Sequence, residues 1–164
     1  MACKKCLTSS VWEFTNQTKL CRPCFINYFE KKVFKTIRKY NMLPKTRIIL
    51  LKKDNSLNYN ILKEILGSKF TVKQGNKFVS ENLSECAEKV FSNLIKGKFD
   101  GPKPCDSVCR PLYFNSDEEI ELYAKLKSIK GKKRDRDARI RKLFEKFEKN
   151  PDLEHNIVNA FLQL

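Results

Sequence analysis

The chain has 164 residues, enough for one domain or for one domain with a small appendage. A hydrophobic fraction of 41% excludes a disordered basic tail, and we expect neither a membrane span nor a signal peptide. The formal net charge of +15 predicts a polyanionic partner: RNA, DNA or an acidic membrane face, of which we expect nucleic acid.

Two Cys-x-x-Cys pairs open the chain, Cys3 with Cys6 and Cys21 with Cys24. Each pair can bind one metal ion from a tight turn, and two pairs complete a tetrahedral shell of four thiolates. Because seven cysteines without a secretory signal indicate a reducing compartment, disulfides are not expected. Four cysteines also suit an iron–sulfur cluster, but this spacing favours structural zinc. We therefore predict a zinc module over residues 1–24 and no iron–sulfur cluster.

The elements after this module follow from the spacing of apolar residues. An apolar residue at every fourth position predicts a helix, and short runs rich in β-branched residues predict strands. In chain order the predicted elements are a helix over 22–41, a strand over 46–51, a helix over 57–66, a hairpin of 69–73 and 77–79, and a helix over 83–96.

The loop between the first strand and the second helix reads Lys52-Lys53-Asp54-Asn55-Ser56. A strand, a loop and a helix in this order form the place where an α/β nucleotide-binding fold holds phosphate. Asp54 and Ser56 are therefore the candidate nucleotide-site residues.

Residues 101–111 are rich in Pro and Gly and predict a linker, which also contains Cys105 and Cys109. Two free or packed cysteines are the simplest interpretation of this looser spacing. A short strand is predicted over 112–114, and Ser116 with Glu119 has the form of a capping box that opens the next helix.

The C-terminal part is strongly basic. Residues 125–149 contain twelve Lys or Arg and four Asp or Glu, a balance of +8. Basic side chains of this segment and of the first helix predict contacts with RNA phosphates, although a solvated helix face is the alternative. The candidate RNA-binding residues are Lys31, Lys32, Lys35, Lys132, Lys133, Arg134, Arg136, Arg139 and Arg141.

Short motifs occur in order at both ends of the chain. They are residues 20–25, 28–33 and 36–41 at the front, and residues 109–112, 118–124 and 138–144 toward the end. In this order they resemble the cytoplasmic tRNA 2-thiolation proteins, which are relatives of the PP-loop ATP pyrophosphatases. The resemblance covers most of the chain.

The resemblance implies a helix-rich α/β fold with a truncated, Rossmann-like PP-loop body. The expected divisions are the four-cysteine zinc module at 1–24, this body at 25–100, the linker at 101–111, and a helical basic region at 112–164.

Two departures from the family argue against catalysis. The family's ATP loop carries two glycines, and both are absent from residues 52–56, so a close backbone cradle for phosphate is missing and ATP is not expected. Catalytic members use three cysteines for an iron–sulfur cluster or sulfur transfer. Cys105 and Cys109 match two of these and are the catalytic candidates, but residues 130–133 contain no third cysteine.

The chain therefore resembles the non-catalytic partner in this family, or a reduced, degenerate member of it. The resemblance implies tRNA and a catalytic thiolase subunit as partners, a ubiquitin-like sulfur carrier as a further one, and a cytoplasmic location. Two alternatives stay open: an active ATP-dependent tRNA thiolase, and a zinc-containing RNA-binding factor unrelated to thiolation.

Overall fold

The structure, a computed structural model, describes residues 2–147 and 152–163. The end of the basic segment 125–149 lies outside these residues. The elements are β1 (Trp12–Glu13), β2 (Lys19–Leu20), α1 (Arg22–Lys39), β3 (Ile48–Leu51), α2 (Leu57–Gly67), β4 (Thr71–Gln74), α3 (Leu83–Ile95), α4 (Asp117–Lys127), α5 (Ala138–Glu145) and α6 (Leu153–Phe161).

Helix α1 confirms the predicted apolar stripe. Pro23 stands in its first turn, where a missing N–H costs no hydrogen bond. Phe25, Phe29, Val33 and Ile37 are buried on one face, which packs in the main hydrophobic core.

Side-chain caps set the start of the next three helices. Ser56 accepts a hydrogen bond from the backbone N–H of Tyr59 and begins α2, and Asn82 begins α3 in the same way. At α4, Ser116 and Glu119 form the predicted capping box. Such caps satisfy helix N–H groups that would otherwise lack a partner.

Strand β3 is the centre of a small parallel sheet. Strand β4 pairs with one edge of β3, with Ile48 opposite Thr71. On the other edge Phe78 forms a parallel bridge with Leu51 and a second one with Cys109. Residues 69–79 therefore do not form the predicted hairpin, because their two runs lie on opposite sides of β3.

Gly75 allows the chain to pass from one side of β3 to the other. The chain passes over Leu50 at Gly75, where a Cβ atom would lie 2.5 Å from the Cβ of Leu50. Only a residue without a side chain allows the backbone to cross so closely.

The predicted strand over 112–114 is also wrong, because these residues form a turn. The turn is held by the backbone N–H of Asn115, which donates to the carbonyl of Leu112 at 2.8 Å. Leu112 and Tyr113 are fully buried in it, which accounts for the apolar run that indicated a strand.

One hydrophobic core joins the front of the chain to its middle. Cys3 and Leu20 of the cysteine module pack in the same cluster as α1, α2 and α4. A second cluster lies where α3 and α6 pack together, around Leu83 and Val158. Within the described residues, no helix is both long and apolar enough to cross a membrane.

Candidate metal centre, phosphate loop and basic surface

The four N-terminal cysteines converge on one point. The ligand atoms of Cys3, Cys6, Cys21 and Cys24 all lie within 4.8 Å of one another. The Sγ atom of Cys6 is 3.2 Å from that of Cys21 and 3.8 Å from that of Cys24. Four thiolates around an ion at about 2.3 Å are separated by about 3.8 Å, so these sulfurs are close enough to share one metal centre.

Local backbone bonds build both turns of this centre. The N–H of Leu7 donates to the carbonyl of Cys3 at 3.0 Å, and Leu7 adopts a left-handed φ of 60° that closes the first turn. Cys21 is the N-cap of α1, so the second pair lies at the start of that helix. Burial raises the pKa of the Cys3 thiol, but the N–H of Lys5 and neighbouring groups lower it to about 6. A low pKa favours the thiolate, the form that binds metal.

Two aromatic residues of the β1 region join this centre to α1. The ring centroids of Trp12 and Phe25 are 5.4 Å apart, and those of Phe14 and Tyr28 are 4.9 Å apart. These contacts attach the cysteine module to the first turns of α1.

The loop at 52–56 is organised by its own side chains. Asp54 accepts a hydrogen bond from the backbone N–H of Ser56 at 2.9 Å, and its other oxygen accepts one from the Ser80 hydroxyl. Asn55 has a left-handed φ of 58°. Of the two candidate nucleotide-site residues, Asp54 thus stabilises the turn and Ser56 caps α2.

The C-terminal region fills the space in front of α2. The backbone N–H of Leu57 donates to the carbonyl of Lys132 at 2.8 Å, and Asn60 donates from its amide to the carbonyl of Lys130 at 2.8 Å. Gly131 lies so close to Leu57 that a Cβ atom on it would be 2.6 Å from the Leu57 Cα. The N–H groups of Ser56, Leu57 and Tyr59 therefore already have acceptors within the chain.

Cys105 and Cys109 are joined by a disulfide. The expectation of reduced cysteines is wrong for this pair, because a turn around Asp106 brings the two Cα atoms to 4.2 Å. Arg110 fixes this turn by donating to Asp106 at 2.9 Å and also to Glu81. Cys109 is buried beside Phe78 in the sheet.

Arg134 anchors the basic segment from a largely buried position. Its guanidinium donates to Glu88 at 2.7 and 2.8 Å and to Asp117 at 2.9 Å, and only 12% of its side chain is exposed. Arg136 also pairs with Asp117, at 2.9 Å, and Asn82 donates to the same carboxylate. This network attaches the basic segment to α3 and α4.

The network changes the titration of Asp117. Burial raises the pKa of this carboxyl group, but hydrogen bonds and charge from Arg134 outweigh burial, with smaller contributions from Asn82 and Arg136. The net pKa lies below its ordinary value of 3.8.

The other predicted RNA-binding residues fall into three sets. Lys32 is largely buried and pairs with Glu119 at 2.7 Å. Lys132, Lys133 and Arg141 form ion pairs at the surface but keep more than half of their side chains exposed. The last three candidates, Lys31, Lys35 and Arg139, are exposed and form no ion pair with the residues of 2–147 and 152–163.

Some contacts could not be found from sequence spacing. Glu88 and Asp117 precede Arg134 by 46 and 17 residues, and nothing in their local pattern marks them as partners of this arginine. Arg22, at the start of α1, donates to the carbonyl of Leu126 near the end of α4, so the two helix ends are joined. A basic residue such as Arg134 can therefore be mistaken for an RNA contact when its partners are carboxylates of the fold.

Comparison with solved structures shows a related fold. The chain resembles the U34-tRNA thiolase NcsA from Methanococcus maripaludis, whose structure includes its [4Fe-4S] cluster, with a TM-score of 0.80 and 15% sequence identity. The match covers 99% of this chain and 86% of that chain. At this identity the likeness shows the fold alone. No protein-family model and no curated protein matches the sequence.

This comparison corrects the expected cofactors. The sequence predicted zinc and excluded an iron–sulfur cluster. This exclusion is wrong, because the thiolase with the similar fold carries a [4Fe-4S] cluster. The convergent group of four cysteines also supplies the ligand type and number that such a cluster uses. The four cysteines therefore form a candidate centre for either a zinc ion or an iron–sulfur cluster.

Proposed function

We propose that the chain is a tRNA-binding, non-catalytic subunit of a system that thiolates the wobble uridine of tRNA. The observation that carries this proposal is the likeness of fold, over 99% of the chain, to a U34-tRNA thiolase. The order of sequence motifs supports the same family independently of the structure. A catalytic thiolase is the proposed partner, a ubiquitin-like sulfur carrier is a further one, and the cytoplasm is the proposed location.

The turn in front of α2 supports a non-catalytic role. Phosphate loops bind through free backbone N–H groups at a helix N-terminus and need glycines for close approach. Here Ser56, Leu57 and Tyr59 already donate to acceptors in the chain. Gly131 and Lys132 occupy the adjoining space, so a nucleotide would have to displace them.

The exposed face of α1 supports RNA binding. Lys31 and Lys35 are one turn apart on this face and are exposed, so both can reach phosphates of one RNA strand. Arg139, Lys132, Lys133 and Arg141 are further exposed contacts that we propose. Lys32, Arg134 and Arg136 support the fold, because each pairs with a carboxylate that is at most 10% exposed.

The four-cysteine centre has a structural role in this proposal. Cys3, Cys6, Cys21 and Cys24 would bind the metal and fix the start of α1, from which the basic face projects. Metal analysis together with the visible absorption spectrum identifies the occupant, because iron–sulfur clusters absorb visible light and zinc does not.

A tRNA titration over a range of salt concentrations tests the proposal. We expect binding that weakens steeply with salt, because released counterions provide most of the free energy. The double variant Lys31→Ala/Lys35→Ala should reduce the slope of log K against log salt by about 1.4 to 1.8. Lys31→Arg/Lys35→Arg, which keeps both charges, should retain the slope. Binding that does not depend on salt would contradict the proposal.

An active thiolase is the second candidate, because reduction of the Cys105–Cys109 disulfide would free two adjacent thiols. It requires ATP to activate the uridine and a cysteine to carry sulfur. Calorimetry with ATP and Mg²⁺ on the metal-loaded protein separates the two candidates. Heat of binding that disappears in Asp54→Ala would support the enzyme, and no heat would support the non-catalytic subunit.

A further inference from the structure

Seven consecutive residues at the end of α3, residues 94–100, are exposed. This segment, called here the α3 exit loop, carries three exposed apolar side chains in a short space. Leu94 is 38% exposed, Ile95 is 59% exposed and Phe99 is 76% exposed. Soluble proteins seldom expose several large apolar side chains together without a binding role.

The exit loop is held in a defined shape. The N–H of Gly97 donates to the carbonyl of Leu94 at 2.9 Å, and the N–H of Lys98 donates to the carbonyl of Asn93 at 2.9 Å. Gly97 has the left-handed φ of 71° that this helix ending requires. The amide of Asn93 also donates to the carbonyl and carboxylate of Asp100, at 3.1 and 2.7 Å. Phe99 is therefore presented to solvent by a braced backbone.

The charge around Phe99 indicates what it binds. Lys96 and Lys98 are exposed on either side of Gly97, and Lys103 follows a few residues later. The acids beside these lysines are Asp100 and Asp106, and Asp106 accepts a hydrogen bond from the backbone N–H of Lys103 at 3.3 Å. Exposed aromatic rings between lysines suit single-stranded nucleic acid, because the ring stacks on a base while the lysines contact phosphates. The same charge is unfavourable for a basic or apolar protein partner.

We propose that the α3 exit loop binds an unpaired RNA segment, with Phe99 stacking on a base and Lys96 and Lys98 contacting the flanking phosphates. This inference rests on the proposed function and deepens it, since it assigns a contact to unpaired nucleotides. The basic face of α1 would bind phosphates without regard to pairing, whereas a stacking contact needs a base free of its helix.

The test compares a labelled ten-nucleotide oligouridylate with a blunt RNA duplex of the same length. Phe99→Ala should weaken binding of the single strand by roughly five- to a hundredfold and leave duplex binding unchanged. Phe99→Trp keeps a stacking ring and should bind the single strand at least as well as the wild type. Phe147→Ala, which removes another exposed ring outside the loop, is the control and should have no effect.

The lysines give a second readout. Lys96→Ala/Lys98→Ala should reduce the salt slope for the single strand by about 1.4, since each lost phosphate contact removes about 0.7. Because all these side chains are exposed, thermal melting should match the wild type and exclude unfolding as the cause.

The outcomes separate this inference from the proposed function. If the wild-type chain binds neither RNA at low salt, both are overturned. If it binds RNA and Phe99→Ala binds the single strand as tightly as the wild type, only the stacking contact is overturned. Loss of a protein partner with unchanged RNA affinity in Phe99→Ala would also overturn it, by assigning the loop to a protein interface.

Discussion

The backbone N–H of Leu57 donates to the carbonyl of Lys132 at 2.8 Å, at the point where an α/β nucleotide-binding protein receives phosphate. The basic C-terminal segment thus packs against the first turn of α2 and covers its N-terminus. N–H groups at a helix N-terminus are the donors that bind anions. The N–H of Leu57 is such a group, and the hydrogen bond to Lys132 already engages it.

Gly131 should be the residue that makes this closure possible. Gly131→Ala places a methyl group 2.6 Å from the Cα of Leu57, so we expect it to lower the free energy of unfolding by about 1 to 3 kcal/mol. Gly67→Ala is the matched control, since a Cβ there meets no atom within 4 Å. Chemical denaturation of both variants measures the difference. Equal stability of the two would show that segment 130–132 does not pack as described.

Arg134 should matter for stability and not for RNA. Arg134→Ala removes a shared partner of two largely buried carboxylates, Glu88 and Asp117, and should cost about 3 to 5 kcal/mol. Arg139→Ala removes an exposed arginine from the same segment and should change stability by less than about 0.5 kcal/mol. Urea denaturation reports both values. A small effect of Arg134→Ala on stability, with a large loss of tRNA affinity, would reverse the roles assigned here.

The lowered pKa of Asp117 predicts how stability depends on pH. A carboxyl group with a lower pKa in the folded chain adds stability above its unfolded value of 3.8, and this stability is lost as pH falls further. Asp117→Asn should therefore be less stable than wild type at pH 7, and the difference should shrink as the pH falls through about 4 and below. Unfolding free energies measured across this range test the prediction, and a difference that stays constant would contradict it.

The four-cysteine centre predicts a link between metal and folding. Cys3→Ser/Cys21→Ser removes one ligand from each pair and should release the metal, measured by elemental analysis of the purified protein. Because the metal would hold Cys21 and Cys24 at the start of α1, its release should also lower the helical signal in circular dichroism. Cys86→Ser, a buried cysteine outside the centre, is the control and should keep full metal content. Unchanged metal content in the double variant would rule out this centre.

Local patterns in the sequence predicted the helices and the grouping of the four N-terminal cysteines well. The stripe of α1, the capping box at Ser116 and Glu119, and the four cysteines depend on spacings within one or a few turns. Such spacings can be read from the sequence because the interacting groups are close along the chain.

Contacts between distant segments could not be predicted in this way. The runs at 69–73 and 77–79 suit a hairpin locally, yet both pair with β3, because the chain crosses Leu50 at Gly75. The carboxylates that bind Arg134 are equally far away in sequence. The cofactor prediction failed for a related reason: four thiolates at this spacing suit more than one kind of centre.

The level of 2-thiouridine at the wobble position of tRNA, measured by mass spectrometry after removal of the gene, tests the central claim most directly. We expect the modification to fall sharply and to return with the wild-type chain. It should also return with a Cys105→Ser/Cys109→Ser chain, because the proposed subunit carries no sulfur. Normal 2-thiouridine in cells without the chain would contradict a role in thiolation, and failure of the folded double variant to restore it would contradict the non-catalytic role.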